Sequence, residues 1–425
     1  MTTTQEQTVP TLRFPEFIGE WDSLKLGDVA VFSKGKGISK ADIEEDGAIE
    51  CIRYGQLYTD YAETIRDVKS RTNIPLKDLV LSEANDIIVP ASGETQLDIA
   101  TASCVLKSDI ALGGDLNIIK TKHDGVFLSY YLNSKRKLDI ARLSQGISVV
   151  HLYAAQLKLL HLNLPGDTEQ QKIASFLTSV DTKIEQLGKK KTLLEHYKKG
   201  MMQKLFSQGL RFKDEHGNDF PDWESRPFGD FYEFKSTNSF SRDKLNYEAG
   251  QVRNIHYGDI HTKFKPGFEL SREVVPFINP DIDLDNISED KFCKEGDLVI
   301  ADASEDYADI GKTIEIISLN GEKVLAGLHT LLARRLDKEI YIGYGAYMMR
   351  SEYVRKQIKL IAQGIKVLSI STGRMRKIKI PIPSPDEQQK IADFLSAIDK
   401  KIELIATELN QAQTFKKGLL QQMFI

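Results

Sequence analysis

The sequence predicts an α+β protein built as a tandem repeat: two mixed α/β domains, each followed by a long helix, the helices pairing through an apolar seam. Three observations predict it. Glu169–Glu185 (EQQKIASFLTSVDTKIE) and Glu387–Glu403 (EQQKIADFLSAIDKKIE) agree at twelve of seventeen positions, and self-similarity at long spacing marks a repeated architecture. Apolar residues in both stretches recur every seven positions with no proline inside, the pattern of a coiled-coil pair. The stretches between them are about 155–175 residues long, each the size of one domain.

The elements follow in order. Residues 1–12 are expected to be a disordered N-terminus, and Leu12-Arg13-Phe14 opens a first variable domain over 13–167. A first constant helix covers 168–208. Leu210-Arg211-Phe212 opens a second variable domain over 209–385, and a second constant helix covers 386–425. Landmarks recur between the domains: Trp21 with Trp223, Tyr54-Gly55 with Tyr257-Gly258, Asp86 with Asp297, Asp98-Ile99 with Asp309-Ile310. Gln145-Gly146-Ile147 and Pro165 find partners in Gln363-Gly364-Ile365 and Pro383. The offset grows along the chain, so the second copy has gained residues between fixed points.

Asp86-Ile87-Ile88-Val89, Asp297-Leu298-Val299-Ile300 and Lys379-Ile380-Pro381-Ile382 read as strands between turn-rich segments. Helices are expected near Val126–Leu143 and Gly343–Ala362, where apolar residues return at helical spacing. Asp167-Thr168 and Pro385-Asp386 supply helix-start chemistry for the constant helices, each roughly 60 Å long.

The seam runs through Ile173, Leu177, Val180, Ile184, Leu187 and Leu194 in the first helix. In the second it runs through Ile391, Leu395, Ile398, Ile402, Ile405 and Leu409. Lys191 and Lys198 occupy seam positions and are expected to loosen it. Gly200 and Gly418 each cost about 1 kcal/mol inside a helix. Their repetition suggests either close approach of another backbone or a fraying point.

Composition bounds the function. At 425 residues, 41% hydrophobic and 28% charged, the chain is globular and too long for one core. No apolar run approaches the length of a membrane span, and the start MTTTQEQTVP lacks a signal-peptide core. Cys51, Cys104 and Cys293 lie far apart, which suggests neither a disulfide framework nor a zinc site. A reduced, cytoplasmic setting is the simplest reading. The net charge of −4 does not announce nucleic-acid binding, so that reading needs local support.

Enzyme motifs mostly fail. Gly311-Lys312-Thr313 resembles the end of a phosphate-binding loop, but Asp306 stands where the loop needs glycine. Lys34-Gly35-Lys36-Gly37 lacks the spacing that cradles a pyrophosphate. Pro280-Asp281 with Glu289-Asp290-Lys291 imitates a metal-dependent nuclease, in which Asp281 and Glu289 hold Mg²⁺ and Lys291 supports the attacking water. The segment reads as a polar turn, and the first copy has no counterpart.

Binding features are more coherent. Ile52-Arg53-Tyr54-Gly55-Gln56 matches Ile255-His256-Tyr257-Gly258-Asp259, placing donors and acceptors around a Tyr-Gly turn in both copies. Such side chains suit base edges, and half-buried core tyrosines are the plainer alternative. Arg374 and Arg376, with Lys377 and Lys379, form a basic cluster suited to phosphates.

With the repeat order and the two EQQKIA helices in hand, the chain resembles the specificity subunits of type I restriction-modification systems. The motifs that carry the resemblance are Pro165–Leu187, Pro383–Ile405 and the Trp-x4-[LF]-G-D starts at Trp21–Asp28 and Trp223–Asp230. The resemblance covers Leu12 to Phe424. It implies two target-recognition domains, each reading one half of a bipartite double-stranded DNA target, held apart by two long antiparallel coiled-coil helices. It also implies no catalytic centre, cofactor or metal in this chain.

S-adenosylmethionine, ATP and Mg²⁺ would be bound by partners: two methyltransferase subunits docked on a pseudo-twofold repeat, and restriction (motor-nuclease) subunits. Helix length would set the gap between half-sites. DNA readout is then expected on loops, at Lys34, Lys36, Arg53, Tyr54, Gln56, Ser92, Glu94 and Thr95 in the first domain. In the second it is expected at Lys235, Ser236, His256, Tyr257, Asp259 and Glu305, with Arg374 and Arg376. Two other classes stay open: the nuclease built on Asp281, Glu289 and Lys291, and a coiled-coil scaffold that reads no DNA.

Overall fold

The computed structural model describes residues 9–146, 149–336 and 339–425. The N-terminal stretch 1–12 expected to be disordered therefore lies mostly outside the described residues, as does Ile147 of the Gln145-Gly146-Ile147 landmark. Leu12 is ordered: its amide donates to the carbonyl of Gln422 at 2.9 Å. The chain forms two compact units, one of residues up to Gly188 together with Thr407–Ile425, the other Lys189–Ala406. Each unit thus holds one head, part of the helix that follows that head, and part of the other long helix.

The first head is built on a five-stranded sheet in the order Ala30–Lys34, Leu116–Thr121, Asp86–Pro90, Ser103–Val105, Thr64–Ile65. Its pairs are antiparallel except the last. Asp86–Pro90 is buried throughout because both faces of the sheet are covered: Ile87 and Val89 point into one core cluster and Ile88 into another. A doubly covered strand needs an unbroken apolar run, which is why Ile-Ile-Val stands there without polar alternation.

The second head repeats the plan with Tyr232–Lys235, Thr330–Arg335, Leu298–Ala301, Thr313–Ser318 and Gly267–Glu269. Leu298 and Ile300 face one cluster, Val299 and Ala301 the other. Lys379–Ile382 is not in this sheet but pairs with Glu224–Pro227 as a separate ribbon. The aspartates at the start of the central strands are buried and ion-paired alike, Asp86 to Lys120 at 3.1 Å and Asp297 to Arg334 at 2.8 Å.

Each helix expected in a head is two helices. Gly125–Ser134 is followed by Lys137–Leu143, and Gly345–Arg350 by Glu352–Ile361. The second break falls at Ser351, whose extended backbone ends one helix while its hydroxyl caps the next by accepting from the Val354 amide.

The long helices span Asp167–Phe206 and Pro385–Gln422. In the first unit the pairing is antiparallel: Ile173 and Leu177 share a core with Leu419 and Met423, while Asp181, farther along, meets Lys416. In the second unit Leu205 shares a core with Ile391 and Leu395, and Lys198 meets Asp399. The seam lysine Lys198 therefore does not loosen the pair; its ammonium sits 2.6 Å from the Asp399 carboxylate. Among the described residues nothing lies within 4 Å of a Cβ added at Gly200 or Gly418, so no close backbone approach explains these glycines.

Candidate nucleic-acid interface

The signature Glu-Gln of each constant helix holds its head in place. Glu169 accepts from Arg13 at two distances of 2.7 Å, and Glu387 accepts from Arg211 at 3.1 and 2.8 Å and from the Trp223 indole at 2.8 Å. Both carboxylates are buried. Gln170 and Gln388 donate to the carbonyls of Pro165 and Pro383, at 2.8 and 2.9 Å. The Leu-Arg-Phe openings and the Pro…Glu-Gln motifs are thus one structural device, used twice.

The helix-seam residues are buried or half-buried in both helices. Ile173, Leu177, Leu187, Ile391, Leu395, Ile398 and Ile405 are buried; Val180, Ile184, Leu194, Ile402 and Leu409 are half-buried.

In the first head Lys34 and the Ser92–Thr95 loop lie at the same sheet end, since Lys34 pairs with Asn117 and Pro90 with Leu116. In the second the Arg376 carbonyl accepts from the Gly229 amide, ahead of the edge strand Tyr232–Lys235 rather than at its far end. In the first head, Lys34 ends an edge strand and its ammonium lies 5.9 Å from the centre of the Tyr153 ring, itself exposed. Lys36 and Glu94 are not buried: Lys36 is exposed at the strand's end, and Glu94 is exposed after the short bridge that holds Ser92. Ser92 is buried in that bridge, opposite His151. Thr95 is exposed, but its hydroxyl caps the following turn by accepting from the Asp98 amide.

The Tyr-Gly turns divide into inward and outward groups. Gln56 is buried; its amide donates to Asp60 and Ser70 and its carbonyl accepts from the Arg53 amide, so it holds the turn from inside. Asp259 is also turned inward, 2.8 Å from two nitrogens of Arg242 and 2.9 Å from Lys263. Burial pushes its carboxyl up, and the two cations outweigh that and hold it below the ordinary value. Gln56 and Asp259 are therefore internal supports of the turn.

Tyr54 and Tyr257 pack half-buried against the second-face clusters. His256 is buried, its Nδ1 accepting from the Gly258 amide, and burial followed by the nearby Arg242 lowers its pKa. Arg53 is half-buried, and its Nε has no hydrogen-bond partner among the described residues.

In the second head Lys235 pairs with Glu233 at 2.5 Å, while Glu305 is exposed. Ser236 lines a cleft at the same sheet end. Arg374 donates to the Ile361 carbonyl at 3.0 Å. Arg376 lies exposed over the Phe234 ring at 5.8 Å. Of the nuclease-like residues, Glu289 pairs with Lys323 at 3.1 Å, and no group of three or more His, Cys, Asp or Glu side chains among the described residues is arranged to hold a metal.

Sequence reasoning missed one pair at the same sheet end. Asp302 and His329 sit side by side because their strands are in register, a relation that no local motif carries.

The comparisons agree with this architecture. The chain is 27% identical to the type I restriction enzyme MjaVIII specificity subunit of Methanocaldococcus jannaschii, covering 96% of this chain and 92% of that one. It is 26% identical to the putative type I restriction enzyme MjaX specificity subunit of the same organism, over 71% and 67%. In three dimensions it is similar to the type I restriction-modification S subunit from M. genitalium, with a TM-score of 0.63 and 16% identity over 98% and 99% of the two chains. Residues 18–196 and 221–414 match the type I restriction modification DNA specificity domain. With most of its length in two copies of that domain, the chain belongs to the family of type I restriction-modification specificity subunits.

Proposed function

We propose that each head reads one half of a bipartite duplex DNA target, and that the paired helices set the gap and dock two methyltransferase subunits. Restriction subunits join the same complex in the cytoplasm, beside the genome. The family is one of non-catalytic DNA-specificity subunits, so methylation and ATP-dependent cleavage belong to the partners. Among the described residues no helix is long and apolar enough to cross a membrane.

One observation carries this reading. Each head has its own five-stranded sheet of the same plan and the same turn geometry at its end, while the side chains presented there differ. Asp115 and His329 both precede the strand next to the central one, Leu116–Thr121 and Thr330–Arg335, with backbones in the left-handed region at φ 57° and 55°. Their carbonyls accept from the amides of Ala91 and Asp302, at 2.7 and 3.1 Å. A common frame with exchanged surface chemistry is what two readers of different sequences require. Constant helices under variable heads give each head an equivalent docking platform. An acidic reader is workable if its partners supply the phosphate-neutralising charge.

The test is to express the chain with its methyltransferase partner and map methylated bases by sequencing. Two short specified blocks separated by an unspecified gap support the reading. Methylation without such a motif removes it, and leaves the coiled-coil scaffold as the better account.

A further inference from the structure

The strongest unassigned chemistry lies at the sheet end of the second head. Asp302 follows the central strand Leu298–Ala301, and His329 precedes its neighbour Thr330–Arg335. Their side chains meet with Oδ1 of Asp302 3.6 Å from Nδ1 of His329, too long for a hydrogen bond. That Oδ1 is buried without a hydrogen-bond partner among the described residues, although a buried carboxylate oxygen ordinarily has one. Both residues line a cleft of about 440 Å³ with the loop Ser236–Phe240 and with Lys291.

The cleft is built rather than accidental. Asn238 pins its loop by donating to the Ala326 carbonyl at 3.0 Å and to Asn254 at 2.7 Å. Tyr257 backs His329 edge-on, with ring centres 5.2 Å apart, and the His256 ring lies 4.7 Å from that of Tyr257. His329 is exposed and keeps a left-handed backbone, φ 55°, that is costly for a residue with a Cβ. The first head has Ala91 and Asp115 at the equivalent places, so this carboxylate–imidazole pair belongs to the second head alone.

The geometry points to Asp302 and His329 as a specificity-determining pair that reads one base pair of the second half-site. Asp302 accepts from an exocyclic amino group, in the way acidic side chains accept from cytosine N4, and His329 donates to the acceptors of the paired base. The inference rests on the reading of the head as a DNA-recognition domain. The Asp302 side chain as a whole is 26% exposed, so its accessible carboxylate edge in the wall of the cleft also repels base edges that present only acceptors, which makes it a discriminator as well as a contact.

The test uses Asp302→Asn and His329→Asn in the full chain, assembled with its methyltransferase partner, with methylated bases mapped by sequencing. Asp302→Asn keeps the size of the side chain and removes a half-buried charge. His329→Asn puts in a residue that tolerates the left-handed backbone, so both variants should fold. The expected result is a preference relaxed by about tenfold or more at one position of the second half-site, with the first half-site and the gap unchanged. An unaltered second half-site in both variants overturns the inference. Uniform weakening at every sequence also overturns it, because that marks a phosphate contact. If the unaltered chain itself yields no bipartite motif, the underlying reading has failed instead.

Discussion

Lys416, near the end of the second long helix, places its ammonium 2.8 Å from the carboxylate of Asp181 on the first long helix. The same ammonium is 3.0 Å from Glu63 of the first head, and Asp181 also accepts from the Tyr130 hydroxyl at 2.5 Å. Three segments distant in sequence are joined at one point. The second unit repeats the device with Lys198, Asp399 and Tyr347. Each lysine comes from the helix of the other repeat, so each head is tied to both helices.

Replacing Lys416 with Met should destabilise the first unit by about 1–3 kcal/mol, because Asp181 and Glu63 are left facing each other in a mostly buried site. The matching Lys198→Met change should cost less. There only one acid, Asp399, loses its cation, and the Arg350 guanidinium lies close enough to interact with that carboxylate. Hydrogen exchange on the full chain resolves the two units. Equal losses, or the reverse order, contradict this ranking.

Glu315 gives the second unit a pH dependence. It is fully buried, accepts from the amides of Gly343 and Ala346 at 2.9 Å, and burial pushes its carboxyl up to about 7. Below its ordinary value of 4.5 both folded and unfolded states hold the proton. As pH rises towards about 7 the unfolded chain ionises first, so folding loses roughly 3 kcal/mol and the loss levels off above that. The stability of Glu315→Gln relative to the unaltered chain should therefore improve between about pH 5 and about pH 8. A difference that does not change with pH contradicts it.

Gly200→Ala and Gly418→Ala should each stabilise their helix by about 1 kcal/mol, since the new methyl meets nothing within 4 Å among the described residues. Thermal unfolding checks this, and a loss of stability would reveal a contact that the isolated chain lacks.

Arg53 and Asp259 should separate reading from support. Arg53→Ala is expected to weaken recognition of one half-site by roughly 1–3 kcal/mol and leave the other unchanged. Asp259→Asn breaks the link to Arg242 and Lys263, so it should lower the stability of the second unit without changing base preference. Methylation mapping beside a melting curve tests both. A new base preference in Asp259→Asn would place its side chain at the DNA.

Much of the architecture was legible because it depends on periodicity and repetition. The apolar seam, the central strands and the domain order all follow from patterns that a chain displays locally. Register was not legible. Asp302 and His329 meet only because two strands pair as they do, and Gln56 and Asp259 looked like exposed readers until the turn placed them inside. Lys198 in an apolar seam read as a defect because its acid partner, Asp399, lies far along the chain. The Glu-Gln motif was visible as a signature, but its task of holding Arg13 or Arg211 emerges only in three dimensions.

Exchange of one head tests the central claim most directly. A hybrid carrying a foreign first head between Leu12 and Asp167, on unaltered helices and second head, would be assembled with methyltransferase and its methylated sites sequenced. Independent heads predict a new first half-site, with the second half-site and the gap unchanged. A soluble, assembled hybrid whose second half-site also changes, or whose specificity disappears, would contradict the account.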